Sequence, residues 1–269
     1  MTSLQTQDLS PKIGTIIQGI DLAKAGALDE FGDALRRILL ERQVIFLRDQ
    51  HLTVDVQLAL AKLFGDVRPV ASKFPHHPGS DCVEILQSSG EPTGTDVWHT
   101  DLSFLETPPK CTMLHAQSLP PAGGDTIWAS MNAAYESLNP LLRSYLETLK
   151  AIHDWEAPEL LIRIKDEEAY HQRRRKDPPT EKPVITTHPE TGKKVVNVNE
   201  LYTTRIVGVS RAESRALVSL LSGLAHIPEW QARFRWEPLS LAIWDNRSAQ
   251  HYAIRDYASR RVMNRITIY

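Results

Sequence analysis

Short apolar runs that never fall into a regular strand–helix alternation constrain this chain most. Ile13 to Ile20, Gln43 to Leu47, Cys82 to Leu86, Thr112 to Ala116, Asp125 to Ala129, Ile185 to Thr187, Val195 to Val198, Ala232 to Trp236, Ser240 to Trp244 and Arg261 to Tyr269 read as strands, many of them bounded by Gly, Pro, Asp or Asn. Helical periodicity is confined to a few segments. Leu28 to Leu40 puts Leu28, Phe31, Leu35, Ile38 and Leu39 on one face. Thr53 to Phe64 has Thr53 as N-cap and Gly65 as its stop, Ser130 to Leu149 breaks near Pro140, and Ser210 to Ala225 is a further long helix. Helices that cluster around many short strands argue against a βαβ fold. They predict a mixed, mainly β domain, a sandwich or jelly roll buttressed by helices.

One stretch stands apart. Residues 155–182 are the most charged part of the chain and include Arg173-Arg174-Arg175-Lys176. They read as a surface insert in a single domain spanning residues 1–269, the four bases forming either a solvated face or a lid over an anionic substrate. The other residues from 66 to 97, His76 and His77 among them, read as loops around one strand. Apolar residues make up 42% of the chain, enough for one sizeable core, and the net charge is −2. A balance so close to neutral, with no basic stripe, excludes a nucleic-acid partner on electrostatic grounds. The polar start, Met1 to Lys12, lacks the apolar core of a signal peptide, and no apolar run approaches the roughly 18 residues that span a bilayer. A cytoplasmic protein with no membrane partner is expected. Cys82 and Cys111 stand far apart and read as two buried thiols in preference to a disulfide.

The chemistry begins at Trp98-His99-Thr100-Asp101. On a strand, side chains two residues apart point the same way, so His99 and Asp101 could meet one metal. His251, closing Asp245-Asn246-Arg247-Ser248-Ala249-Gln250-His251, is the best third donor. Two imidazoles and a carboxylate on one face of an octahedron leave three positions open, as in non-haem Fe(II) oxygenases. The same donors also suit a Zn(II) hydrolase, and a jelly roll that binds without turnover is a third reading. Arg261 and Arg265 are evenly spaced on the last strand, where a guanidinium fork can take a carboxylate bidentately. Trp98 and Trp244 suit core packing beside the ligands, His115 and His153 suit structural roles, and Asp245-Asn246-Arg247 suits ordering of a loop that carries His251.

Six stretches, GTIIQGIDL, QVIFLRDQHLT, WHTDLSFLETPP, PAGGDTIWASM, ITTHPETGKKVVNVNELYTTRI and IWDNRSAQHYAIRDYASRRVMNRITI, run from Gly14 to Ile268. Together they resemble the taurine dioxygenase/2,4-D dioxygenase family of Fe(II)- and 2-oxoglutarate-dependent enzymes. The resemblance implies a double-stranded β-helix and a dioxygenase using Fe(II), 2-oxoglutarate and O2. Such an enzyme releases succinate and CO2 while hydroxylating a small anionic substrate beside its heteroatom group. It implies His99, Asp101 and His251 as metal ligands, Thr126 and Arg261 as contacts to 2-oxoglutarate, and Arg265 as the contact to the substrate's anionic head. Retention of the Asp101 carboxylate favours a hydroxylase over a halogenase. Homodimers or tetramers are the expected assemblies.

The substrate half of the pocket departs from taurine dioxygenase. The early loop reads Val70-Ala71-Ser72-Lys73-Phe74, Thr95 stands where an asparagine would, and Tyr202 replaces a phenylalanine. Lys73 is a candidate anion contact. Phe74 and Tyr202 suit a more apolar pocket, one for an aryloxy or alkyl anion, and a sulfonate, a sulfate ester or an aryloxyalkanoate is the expected substrate.

Overall fold

A computed structural model describes residues 4–69, 74–91, 96–156 and 166–269. In chain order the elements are β1 (Gln5–Asp8), β2 (Thr15–Gln18), α1 (Ala27–Arg42), β3 (Val44–Leu47), α2 (Val54–Lys62), β4 (His76–His77), β5 (Ser80–Ser88), β6 (Cys111–Ser118), β7 (Thr126–Ser130), α3 (Met131–Ser137) and α4 (Pro140–Leu146). Then come β8 (Lys150–His153), α5 (Glu167–Lys176), β9 (Thr180–Pro183), β10 (Ile185–Thr187), β11 (Lys194–Val196), β12 (Thr203–Ile206), α6 (Arg211–Gly223), β13 (Gln231–Phe234), β14 (Leu241–Asp245), β15 (Ala249–Ala253) and β16 (Arg261–Ile268).

The large sheet runs β1-β2-β3-β14-β6-β16-β5-β4, and a small sheet runs β13-β7-β15. Period two explains how they pack. β3 and β14 are buried at every position, so each must serve two cores. Val44 and Phe46 of β3, with Ala242 and Trp244 of β14, turn inward to meet Trp128, Ala232, Phe234 and Met263 between the sheets. Phe46 stacks on Phe234 with centroids 4.1 Å apart. Their alternates Ile45, Leu47, Leu241 and Ile243 face outward, where Leu35 and Leu39 of α1 and Leu60 of α2 cover them. A third core packs α3 and α6 against the remaining strands through Met131, Val184, Val196 and Leu221. This is the double-stranded β-helix with helical buttresses.

The caps are local chemistry. Thr53 accepts from the Val56 N–H at the start of α2, and Ser210 with Glu213 forms a capping box on α6. Gly65 is not the helix stop. α2 ends at Leu63 in right-handed geometry, and Gly65 is needed elsewhere, since a Cβ there would stand 2.4 Å from the Tyr269 carbonyl. That close approach lets Asp66 and Tyr269 exchange backbone hydrogen bonds at 2.8 Å each.

Other expectations shift. His76 and His77 pair with β5 as a short edge strand, not as loop. Short strands at β1, β8, β9, β12 and β15 carry too little apolar periodicity to be read from sequence. Cys111 is buried but Cys82 is only half-buried, and both thiols are free. In the charged segment α5 is docked by pairing: Arg174 binds Asp154 through 2.9 and 3.1 Å contacts and also meets Glu156, which accepts from the Tyr170 hydroxyl. The Trp155 indole N–H donates to the Asp177 carbonyl at 2.7 Å, while Arg175 stays exposed and pairs with Glu168.

Candidate metal centre

His99 and His251 face each other across one antiparallel bridge. The His99 N–H donates to the His251 carbonyl at 3.1 Å and the His251 N–H returns the bond at 2.8 Å. This bridge sets the imidazoles side by side, their centroids 4.2 Å apart. His251 sits inside β15, not on a loop. His99 is a lone bridge residue and Asp101 lies in the turn after it, where Leu102 takes φ 50°. The turn, not strand alternation, brings Asp101 Oδ1 to 3.9 Å from His99 Nε2 and 3.8 Å from His251 Nε2. One donor atom from each residue lies within 4.8 Å of the others.

Hydrogen bonds orient His99 and Asp101, whereas the buried Nδ1 of His251 has no hydrogen-bond partner and its ring is held by packing on Trp244. His99 Nδ1 is 2.7 Å from the Val97 carbonyl, so that nitrogen carries the proton and Nε2 keeps its lone pair. Asp101 Oδ2 accepts from the Thr112 hydroxyl at 2.7 Å, Thr112 accepts from Asn246 Nδ2 at 2.9 Å, and Asn246 Oδ1 accepts from the Trp244 indole at 2.9 Å. Asp245, one residue earlier, is buried and held by His188 and Arg247. Burial pushes both imidazoles down, His251 to about 3, with the neighbouring His99 adding to its shift. Burial opposes the Asp101 charge, but His251, His99, Arg265 and the Thr112 bond outweigh it and hold the carboxyl low. At neutral pH the cluster is therefore two neutral imidazoles and one carboxylate, the protonation state that a divalent metal requires.

A second group lies along β7 and β16. Thr126 is buried, and its hydroxyl oxygen accepts from the Trp236 indole N–H at 3.0 Å. The Arg261 guanidinium lies 5.8 Å from the Trp236 ring. Its Nε is buried without a hydrogen-bond partner and it joins no ion pair among the described residues. Burial lowers its pKa, with Tyr257 and Asp125 giving only partial relief. Gly124, at φ 74°, lets the chain pass against this side chain, since a Cβ there would sit 3.3 Å from Arg261 Cδ. A half-buried guanidinium with a buried, unsatisfied Nε and no ion pair among the described residues fits an anionic ligand.

Arg265 differs. Its Nε and Nη2 are already bound to Glu84, at 2.8 and 2.9 Å. Phe74 lies 5.3 Å from its guanidinium, and Tyr202 packs on Phe104 with centroids 5.1 Å apart. Lys73 and Thr95 lie outside the described residues. His115 and His153 are structural: His115 bonds the Gln50 carbonyl and Gln117, and His153, pushed down to about 4 by burial, sits between Ser103 and Asn197.

Residues 5–267 match the family described as Taurine catabolism dioxygenase TauD, TfdA family. The chain belongs to this family. It is 36% identical to an alkylsulfatase of Acinetobacter baylyi, over 98% of this chain and 84% of the relative. It is 35% identical to an alpha-ketoglutarate-dependent sulfate ester dioxygenase of Pseudomonas putida, over 98% and 89%. Among solved structures, a taurine dioxygenase from Burkholderia xenovorans superposes with a TM-score of 0.84 at 33% identity, covering 99% of this chain and 89% of that one.

Three residues of the site escaped the sequence reading: Thr112, Trp236 and Glu84. Thr112 and Glu84 sit in strands that mix polar and apolar residues, where one more polar side chain reads as strand filler, and Trp236 reads as core.

Proposed function

We propose that this chain is an Fe(II)- and 2-oxoglutarate-dependent dioxygenase that hydroxylates a small anionic organic substrate, with succinate and CO2 as co-products. Family membership makes it an oxidoreductase that consumes 2-oxoglutarate and O2. The observation that carries the fuller reading is Arg261, a half-buried guanidinium whose buried Nε has no partner and which lies 5.8 Å from the Trp236 ring that bonds Thr126, in a chain that also gathers His99, Asp101 and His251. A hydrolase on the same donors, or a binding protein without turnover, has no use for this second anion site. Sulfate esters, sulfonates and aryloxyalkanoates are the proposed substrate classes, in keeping with the named activities of the relatives.

Iron would be held by the Nε2 atoms of His99 and His251 and by the Asp101 carboxylate, and when bound with 2-oxoglutarate and O2 it supplies the oxidising power of the reaction. The chain's own residues bind and orient. Because Thr126 Oγ1 spends a lone pair on the Trp236 N–H, its hydrogen is free to be given to a carboxylate. Arg261 takes the other carboxylate by a charge-assisted fork. Trp244 packs on His251 with centroids 4.8 Å apart and shields the donors from water. Arg265, Phe74 and Tyr202 form the proposed head-group side.

The test is anaerobic titration of the protein with Fe(II) and 2-oxoglutarate. A weak visible charge-transfer band, followed by succinate release when O2 and an anionic substrate are admitted, is the expected result. No band, or hydrolysis without O2, sinks the reading. Trp236→Phe probes the indole contact: it keeps the ring and loses one neutral hydrogen bond, worth about 0.5–1.5 kcal/mol, so the KM for 2-oxoglutarate should rise roughly two- to tenfold with kcat little changed. An unchanged KM would show that the indole only packs.

A further inference from the structure

Glu84 is a fully buried carboxylate to which the proposed reaction gives no task. Register explains its pairing: Glu84 and Arg265 are direct partners in the antiparallel β5–β16 ladder, so their side chains leave the sheet on one face. The next strand shows which face. Arg265 pairs with Leu114 and Thr267 with Thr112 in the β6–β16 ladder. Residues two apart share a side, so Arg265 lies on the side of Thr112, whose hydroxyl is bonded to Asp101. Arg265 thus faces the His99–Asp101–His251 cluster, with the Phe74 ring against it. Burial opposes its charge, and Glu84 first, then Asp101 and Tyr202, keep it protonated. On the other side of β5, His76 stands opposite Glu84.

An unpaired arginine offers a full positive charge and a five-donor fork. Here Glu84 occupies one edge through Nε and Nη2, leaving Nη1 and the outer Nη2 hydrogen to a ligand. The donors that remain belong to a pair of almost no net charge. They can hold a singly charged head by hydrogen bonds. A second negative charge would find no uncompensated cation there and would stand against the Glu84 carboxylate. We infer that Glu84 is a specificity-determining residue: by neutralising Arg265 it makes the head-group site accept monoanions, such as sulfate esters, sulfonates and carboxylates, and reject dianionic phosphate heads of the same shape. The inference rests on the reading of Arg265 as the head-group contact.

The test is equilibrium binding, by calorimetry, to the anaerobic protein loaded with Fe(II) and 2-oxoglutarate. The probes are hexyl sulfate, hexyl phosphate and hexyl methyl phosphate at mildly alkaline pH, where a phosphate monoester, with its second pKa near ~6, is a dianion. Wild-type protein should bind hexyl sulfate and the singly charged hexyl methyl phosphate at least about tenfold more tightly than hexyl phosphate. Glu84→Gln should tighten hexyl phosphate about tenfold and leave hexyl sulfate within about threefold. The wild-type comparison needs no variant and stands even if Glu84→Gln fails to fold. Equal binding of sulfate and phosphate by the wild type, or an unchanged preference in Glu84→Gln, overturns the role of Glu84 alone. Binding of none of the three by a protein that forms the coloured 2-oxoglutarate complex overturns it together with the head-group reading of Arg265.

Discussion

Asp101→Ala should abolish Fe(II)-dependent succinate formation and substrate hydroxylation. The carboxylate is the one anionic donor of the proposed site, and its Oδ1 is within 3.9 Å of both imidazole Nε2 atoms. Residues that merely support a metal ligand are typically worth about 10- to 100-fold in affinity or activity, so loss of a ligand should exceed that range. The fold should survive. Asp101 is partly exposed, with 14% of its side chain accessible, and its direct partner is the hydroxyl of Thr112, which keeps the bond it accepts from Asn246 Nδ2. The checks are Fe(II) affinity by anaerobic titration, succinate yield and the melting temperature of the metal-free protein. Wild-type iron affinity and turnover in the variant would remove Asp101 from the ligand set.

Arg261→Met should separate binding from stability with opposite signs. Breaking a buried charge pair by removing one partner costs roughly 3–5 kcal/mol, which corresponds to about a hundredfold or more in the KM for 2-oxoglutarate. In the ligand-free protein no such pair exists, since Arg261 joins no ion pair among the described residues and its Nε is unsatisfied. A flexible apolar side chain of similar length removes a desolvated charge there, so the ligand-free variant should melt at the wild-type temperature or above it. Added 2-oxoglutarate should then raise the melting temperature of the wild type and not of the variant. A structural arginine would behave the other way: the variant would unfold more easily and bind 2-oxoglutarate with unchanged affinity. Arg265→Met makes an instructive contrast, because that guanidinium already has a carboxylate partner in Glu84.

The two arginines show how far spacing can be trusted. Both lie on β16, and their even spacing alone puts them on one face. Spacing could not show that one is paired and the other is not. That depends on which residue of β5 stands opposite, and the register sets Glu84 against Arg265 but Ser88 against Arg261. The same limit applies to the His-x-Asp pair. Its two residues are legible as candidate donors, yet strand alternation is the wrong cause of their meeting, because Asp101 is delivered by a turn.

By itself the sequence determined the candidate donors and the chain-long pattern. His99, Asp101, His251, Thr126 and Arg261 are distinctive residues in distinctive strings, and the mixture of short strands with clustered helices was enough to exclude a βαβ fold. Local chemistry also placed the Thr53 cap, because a capping side chain bonds within three residues of itself. Only the tertiary structure decided which polar residues work together. His251 meets His99 across 152 residues of chain, close enough to bond backbone to backbone. Thr112, Trp236 and Glu84 owe their partners to sheet register and inter-sheet packing, long-range relations that no local periodicity encodes. Short strands such as β8 and β12 are likewise stabilised by what lies beside them more than by their own propensity.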